Sequence, residues 1–302
     1  MDYIGTLTPH APYNFPLLLD MLSRYVHPVI DRVHEGAYWR AVKIDDQLIL
    51  VKVQNAGTLH APALDVFASV HDCAAAELLD TVHHIFALAH NPTPFYAFAQ
   101  SDETLWRIVE PLQGVMWPRA ASAFEALMTT IIEQQISWVA AQKAQRWLVE
   151  WAGHCIVHDS QPFYAFPTPE QIAVGTEALF TPMKITFKRM RLMIEIAEQV
   201  DAGVLDLEGL RDVPLAEAYA ALLRIKGVGH WTASWTLTRT IGAGHSYVGA
   251  NDVALQAAVN RYFYGQEGKI SADLVAETFA RYGEFAGLAA HYTILRWVLE
   301  KY

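Results

Sequence analysis

The chain has 302 residues, of which 53% are apolar and 18% charged, and this composition is typical of a folded globular protein with about two domains. No basic start followed by an apolar core indicates a secretory signal, and no apolar run reaches the roughly 18 residues of a membrane helix. The net charge of −10 argues against a nucleic-acid partner when the chain is taken as a whole. We therefore expect a cytoplasmic protein without a membrane partner.

Residues 26–71 contain β-branched and aromatic side chains in partial alternation, and an Asp-Asp pair at 45–46 separates two of the runs. This pattern predicts a small antiparallel sheet. Residues 73–90 have helical spacing, and the sequence Asn-Pro-Thr-Pro at 91–94 ends that helix. The predicted N-terminal domain is therefore α+β and spans residues 1–112.

Strand signals are missing after residue 112, and helical periodicity continues from about residue 120 to the end. Short interruptions rich in glycine and proline separate helices of about 10 to 18 residues, which is typical of a compact α-helical domain. The predicted fold class is thus an α+β domain followed by a mostly α-helical region, residues 113–302.

Neither the cysteines nor the histidines form a metal-binding pattern. Cys73 and Cys155 are too few for a four-thiolate cluster, and we interpret them as ordinary buried thiols. The histidines, including the pair His83 and His84, lack metal-ligand spacing with acids or cysteines. We predict no metal and no cofactor.

Cations are concentrated in two parts of this acidic chain. Residues 221–265 contain four cations against one acid, and residues 184–191 contain a second basic cluster. Such patches can bind a polyanion with marked salt dependence, although each cation taken singly is also typical of a solvated helix face. The cations are Arg224, Lys226, Arg239 and Arg261 in the first cluster, and Lys184, Lys188, Arg189 and Arg191 in the second.

The stretch LLRIKGVGHWTASW, residues 222–235, predicts two helices joined by a turn at Lys226–Gly229. Glycine supplies backbone angles closed to other residues, and it lets another molecule approach the main chain. Amide groups at the start of the second helix then form a seat for a phosphate oxygen. A plain helical hairpin, in which glycine serves the turn alone, is the alternative.

Three side chains after this turn make a plain hairpin less favoured. Trp231 and Trp235 are four residues apart and share one helical face, where indoles belong to the core or stack on flat or cationic rings. Asp252 follows a glycine-rich loop and precedes an amphipathic helix. Its ordinary role is a helix cap, which Asn251 would serve equally well.

The segment LLRIKGVGHWTASWTLTRTIG resembles the helix-hairpin-helix of the DNA glycosylase superfamily, and GHSYVGAND resembles the loop that carries its essential aspartate. Residues 122–148, 165–200 and the C-terminal AHYTILRWVLEKY are similar to the 3-methyladenine DNA glycosylase II branch. The resemblance covers residues 112–302 strongly and the remainder loosely, and it places the helix-hairpin-helix at about 214–241.

The resemblance implies a role for each matching residue. Asp252 is the catalytic carboxylate, and Ser137 caps the helix that follows the turn. Gln134 and Gln135 lie in a turn from which the family inserts a side chain into the gap left by the flipped base. The expected aromatic pocket residues are Trp231, Trp235 and Trp297, and the expected hairpin contacts to DNA phosphate are Lys226, Gly227, Val228 and Gly229.

The chain departs from the family pattern at two positions. Lys226 replaces a frequent proline, and Glu133 replaces a frequent glycine. Bifunctional relatives have a nucleophilic lysine where this chain has Trp231, and an indole cannot form a Schiff base. The resemblance therefore implies a monofunctional enzyme that uses water.

We expect a DNA glycosylase that releases N3- or N7-alkylated purines after base flipping. Its partner would be double-stranded DNA with damaged bases, and the protein would be monomeric. One alternative is a glycosylase for oxidised or deaminated purines. An alternative of another class is a non-catalytic helix-hairpin-helix DNA-binding protein, against which a carboxylate facing a polyanion argues.

Overall fold

A computed structural model describes residues 1–25, 29–44, 47–69, 75–242 and 249–301. The strands are β1 (Asp2–Leu7), β2 (Arg32–His34), β3 (Ala37–Ile44), β4 (Gln47–Asn55), β5 (Leu64–Ala68), β6 (Cys155–His158) and β7 (Gln161–Tyr164). The helices are α1 (Phe15–Tyr25), α2 (Ala75–Ile85), α3 (Thr93–Ala99), α4 (Glu103–Val109), α5 (Ala123–Glu133), α6 (Trp138–Ala152), α7 (Pro169–Ala173), α8 (Phe187–Asp201), α9 (Leu215–Arg224), α10 (His230–Thr240), α11 (Val253–Tyr264), α12 (Ala272–Ala280) and α13 (Ala286–Lys301).

The N-terminal half contains the predicted antiparallel sheet, with five strands in the order β1-β5-β4-β3-β2. In the central pair, Ala41 of β3 lies opposite Leu50 of β4. The Asp-Asp pair at 45–46 lies outside the described residues. Strand β1 was not predicted, since its burial pattern lacks strict alternation, and it forms the sheet edge against β5.

The first predicted helix, 73–90, is shorter than expected. Helix α2 ends at Ile85, although Phe86 and Leu88 beyond its end remain buried in the core. Ala87 has a positive φ of 54°, which ends the helical path. Cys73 lies outside the described residues, whereas Cys155 is a partly buried free thiol in β6.

The expectation that no strands follow residue 112 was wrong. Strands β6 and β7 form a two-stranded hairpin within the helical half. Asp159 and Ser160 connect them, and both have positive φ values of 46° and 61°, as a two-residue hairpin turn requires. Phe163 packs with Trp39, so the hairpin covers the N-terminal sheet.

The described residues form two large apolar cores. One core contains α5, α6, α8, α9 and α10, and the other joins the N-terminal sheet and helices with α11, α12 and α13. The C-terminal helices thus pack against residues far away in sequence. The division into domains 1–112 and 113–302 stays a prediction.

A buried ion pair connects the sheet to the helical core. Arg40 of β3, whose side chain is 2% exposed, binds Glu125 of α5 and Asp31. This pair fixes the orientation of α5, and the turn after α5 forms one wall of the cavity described below. No helix among the described residues is long and apolar enough to cross a membrane.

Candidate active site

A cavity of about 950 Å³ is lined by α8, α10, α13, the turn between α5 and α6, and the segments 116–119 and 251–254. Five of the nine tryptophans line it: Trp117, Trp138, Trp231, Trp235 and Trp297. A volume of this size is typical of small-molecule sites and can enclose a nucleobase. The high tryptophan content of the chain is therefore concentrated in one site.

Asp252 is the N-cap of α11, and both of its carboxylate oxygens accept hydrogen bonds. Oδ1 accepts from the amides of Ala254 and Leu255, at 2.9 and 3.0 Å. Oδ2 accepts from the indole Nε1 of Trp231 at 3.0 Å. The aspartate is therefore both the helix cap and a rigidly held carboxylate on the cavity wall, and the two interpretations of the sequence are compatible.

Trp231 has two roles in the site: its ring lines the cavity, and its indole N–H donates a hydrogen bond to the Asp252 carboxylate. The indole N–H is donor-only, so its bond at 3.0 Å fixes the orientation of Oδ2. Trp231 and Trp235 pack at 6.5 Å between ring centroids with planes tilted by 55°. Helix periodicity predicted their shared face, but the contact between Trp231 and Asp252 was not predicted.

Trp235 lies beside a paired arginine. The Arg239 guanidinium is 5.8 Å from the Trp235 ring centroid, and it donates to Glu133 Oε2 at 2.6 Å and to Thr130 Oγ1 at 3.0 Å. The Glu133 side chain is 11% exposed and also accepts from Gln145. Glu133, the departure from the family pattern, is thus neutralised within the protein.

The two glycines of the hairpin turn serve different purposes, one for the backbone angles and the other for close approach of another molecule. Gly227 has φ of +97°, and an added Cβ would lie 2.9 Å from a methyl carbon of Leu192. Gly229 has φ of −101° and open space around a Cβ, so its side facing the cavity is accessible. Both glycines line the cavity.

The other two predicted hairpin residues do not line the cavity. Val228 is buried, and its amide donates to the Ile225 carbonyl at 3.0 Å. Because the turn already uses this amide, it is a weaker candidate for phosphate binding than predicted, and its contact with DNA stays a prediction. Lys226 is exposed outside the cavity. The first hydrogen bond of α10 joins the Ala233 amide to the Gly229 carbonyl. The amides of α10 that precede it are not used within the helix, so they are the better candidates for binding an anion.

The two glutamines of the turn between α5 and α6 have different surroundings. Gln134 donates from its side chain to Thr232 Oγ1 at 2.9 Å. Its carbonyl accepts from Arg189. Gln135 is exposed at the cavity with a positive φ of 54°. Insertion into DNA stays a prediction, and the exposed Gln135 suits it better than Gln134. Ser137 caps α6, as predicted, by accepting from Ala140 at 3.3 Å.

Trp297 lies on the α13 wall, where two cations flank its ring. The Arg261 guanidinium and the Lys301 ammonium are each 5.9 Å from its centroid. In the second basic cluster, Lys188 lines the cavity, whereas Arg189 is buried and donates to main-chain carbonyls. Arg191 pairs with Glu177 at 2.7 Å. These contacts reduce the number of cations that can reach a polyanion.

A further part of the cavity lining was not predicted. Met116, Trp117, Pro118 and Arg119 line the cavity from the segment that joins the two halves, and His291 lines it from α13. Burial lowers the pKa of His291 to about 4, with a further contribution from His90. No periodicity or motif marks this segment, so the sequence alone could not predict that it lines the same cavity as Asp252.

Comparisons with known proteins agree with this geometry. No family model matches the chain. It is 27% identical over 225 residues to the DNA-3-methyladenine glycosylase of Bacillus subtilis, covering 74% of each protein. It is 24% identical over 234 residues to DNA-3-methyladenine glycosylase 2 of Escherichia coli, covering 78% of this chain and 79% of that protein.

A solved structure shows the same fold along nearly the whole chain. The 3-methyladenine DNA glycosylase of Archaeoglobus fulgidus superposes with a TM-score of 0.83 at 23% identity and covers 98% of both chains. In sequence the chain is similar to 3-methyladenine DNA glycosylases, and its fold is that of the Archaeoglobus fulgidus enzyme.

Proposed function

We propose that the protein is a monofunctional DNA glycosylase that hydrolyses the N-glycosidic bond of alkylated purines in double-stranded DNA. One observation carries this proposal: the Asp252 carboxylate is held by three N–H donors on the wall of a tryptophan-lined cavity. A binding module that uses the hairpin alone has no use for a fixed negative charge beside a polyanion. Such an enzyme acts where the genome lies, in the cytoplasm of a bacterial cell.

The reaction needs an electrostatic group more than an acid. An N3- or N7-alkylated purine carries positive charge and leaves readily once the base has been flipped into the cavity. As the bond breaks, positive charge develops on the sugar, and an ionised Asp252 stabilises it. Among the described residues, Oδ2 accepts one hydrogen bond, from the Trp231 indole, so a lone pair remains to orient the attacking water.

Trp231 supports the monofunctional assignment. It occupies the position of the lyase lysine, and its indole binds Asp252 and cannot attack the sugar. Lys226 is exposed outside the cavity. Two other lysines, Lys188 and Lys301, line the cavity and are included in the trapping test below.

The test is incubation with methylated double-stranded DNA, followed by identification of the released bases and of the DNA product. We expect 3-methyladenine and 7-methylguanine in solution, and abasic strands that break only after hot alkali. Borohydride should trap no enzyme–DNA adduct, because no Schiff base forms. Absence of base release by the wild-type protein would refute the glycosylase, and a trapped adduct would refute its monofunctional character.

A further inference from the structure

Three arginines line the cavity, and two of them are saturated by protein acceptors. Arg189 donates to the carbonyls of Ile132 and Gln134, and Arg239 binds Glu133. Arg119 differs: its Nε is buried without a hydrogen-bond partner, and no carboxylate among the described residues pairs with its guanidinium. A charged group without an acceptor in a partly buried site is costly, so a ligand in the cavity is expected to supply an acceptor to this guanidinium.

The surrounding chain holds this guanidinium in place. The Arg119 amide donates to the Ile85 carbonyl at 2.7 Å. Gly242, just after α10, has φ of +101°, and a Cβ there would lie 2.5 Å from Arg119 Nη2. Glycine is thus needed both for the backbone conformation and for the space that the guanidinium occupies. Asp252 follows Gly242 by ten residues in the sequence.

The charges around Arg119 do not neutralise it. Burial and the nearby Arg211 lower the pKa of Arg119 to about 10, and the Tyr13 hydroxyl opposes this effect weakly. His84 faces the same group, and burial together with Arg211 and Arg119 lowers its pKa to about 3. Arg211 itself pairs with Glu208 at 3.2 Å. Arg119 is therefore a protonated donor at neutral pH, and no carboxylate among the described residues pairs with it.

We propose that Arg119 hydrogen-bonds the exocyclic carbonyl oxygen of the flipped purine. A guanidinium offers donors only. At position 6, guanine and hypoxanthine present an acceptor oxygen, whereas adenine presents an amino donor. The cavity then favours 7-methylguanine and hypoxanthine over 3-methyladenine at this contact. This inference rests on the proposed glycosylase function and adds the base edge that the enzyme reads.

The experiment uses one methylated DNA sample that contains both 7-methylguanine and 3-methyladenine. Wild type, Arg119→Gln and Arg119→Lys each release both bases, and chromatography gives their ratio. A ratio within one reaction cancels differences in folding and in active concentration. Hypoxanthine release is measured on a separate duplex, and Arg107→Gln, at a 70% exposed position, is the matched control.

We expect Arg119→Gln to lower the ratio of 7-methylguanine to 3-methyladenine by about 10- to 100-fold, the range of a lost charged hydrogen bond. Hypoxanthine release should fall equally, and Arg119→Lys should lie between the wild type and Arg119→Gln because it keeps the charge without the fork. Binding to DNA with an abasic-site analogue should not change. Arg107→Gln should match the wild type.

Two results would overturn the assignment. An unchanged ratio would show that Arg119 does not read the base. An equal loss for all bases, together with weaker binding of abasic-analogue DNA, would identify a phosphate as its ligand. If the wild-type protein releases no base at all, the proposed function fails instead, so the two failures are distinguishable.

Discussion

The two walls of the cavity differ in how their polar groups are satisfied. On the α10 wall, the Asp252 carboxylate accepts three hydrogen bonds, and Arg239 pairs with Glu133. On the wall formed by residues 116–119 and α13, the Nε of Arg119 and the Nε2 of His291 are buried without hydrogen-bond partners among the described residues. The charged groups of the first wall are paired before DNA arrives, although Trp235 Nε1 is buried there without a partner among the described residues, whereas Arg119 on the second wall has no such pair.

This difference separates two tasks of the site. A group that stabilises charge in a transition state acts best when its orientation is fixed in advance, and the α10 wall meets that condition. A group that distinguishes one base from another must remain available to the base, and the wall that contains Arg119 meets this second condition. The following variants test whether chemistry and recognition are divided in this way.

The largest effect is expected from Asp252→Asn. The amide keeps the cap, since asparagine caps helices as well as aspartate, but it removes the charge. Base release should fall by at least about 100-fold for every substrate, the scale of a lost electrostatic stabiliser. Binding of abasic-analogue DNA should be retained, because a negative charge facing DNA is removed.

Single-turnover base release and fluorescence anisotropy measure these two properties. Asp273→Asn is the matched control, because Asp273 is exposed in the first turn of α12. Turnover by Asp252→Asn at the wild-type rate would remove the catalytic role from this wall.

The next effect is expected from Trp231→Phe, which keeps an aromatic ring and removes the donor to Asp252. We expect about a 10-fold to 100-fold slower release of all bases, the range for a hydrogen bond to a charged group. Trp235→Phe is the control of equal size, since Trp235 Nε1 has no partner among the described residues. Single-turnover rates that fall equally in both variants would show that ring size matters and the hydrogen bond does not.

A smaller effect, dependent on the base, is expected from Trp235→Ala. The indole face should stabilise cationic bases by about 1–2 kcal/mol, or about 5- to 30-fold in rate. The loss should be smaller for neutral hypoxanthine. This ranking differs from that of Arg119→Gln, which should spare 3-methyladenine. Release rates of the three bases therefore distinguish the roles of the two walls. If both variants slow the three bases in the same order, the walls do not act separately.

The smallest effect on DNA binding is expected from the hairpin. Gly229→Ala adds a methyl group in open space, so the free energy of unfolding should change by less than about 0.5 kcal/mol. Affinity for DNA of any sequence should fall about two- to tenfold, because the methyl group keeps a phosphate from the amides.

Gly227→Ala is the contrasting variant at the same turn. It should destabilise the fold by about 1–3 kcal/mol, because the position has a positive φ. Thermal unfolding and anisotropy on unrelated sequences measure the pair. An affinity loss for Gly229→Ala that is confined to one sequence or lesion would contradict phosphate binding.

Much of the fold followed from patterns within short segments. The hairpin of α9 and α10 and the paired strands β3 and β4 were predicted from local spacing and turn residues, and the cap at Ser137 was expected from the family resemblance. Strand β1 and the β6–β7 hairpin were missed, since each is short and weakly alternating. Their strand conformation depends on the sheet or neighbour against which they pack.

The sequence by itself determined the hairpin, its tryptophan face and the position of Asp252, because turn sterics, helix periodicity and capping act over a few residues. Only the tertiary structure decided which groups meet. Trp231 bonds Asp252 across 21 residues, and Arg239 pairs with Glu133 across 106. Contacts at such separations depend on how helices pack rather than on local preference. For the same reason, packing alone brings Arg119 to the cavity.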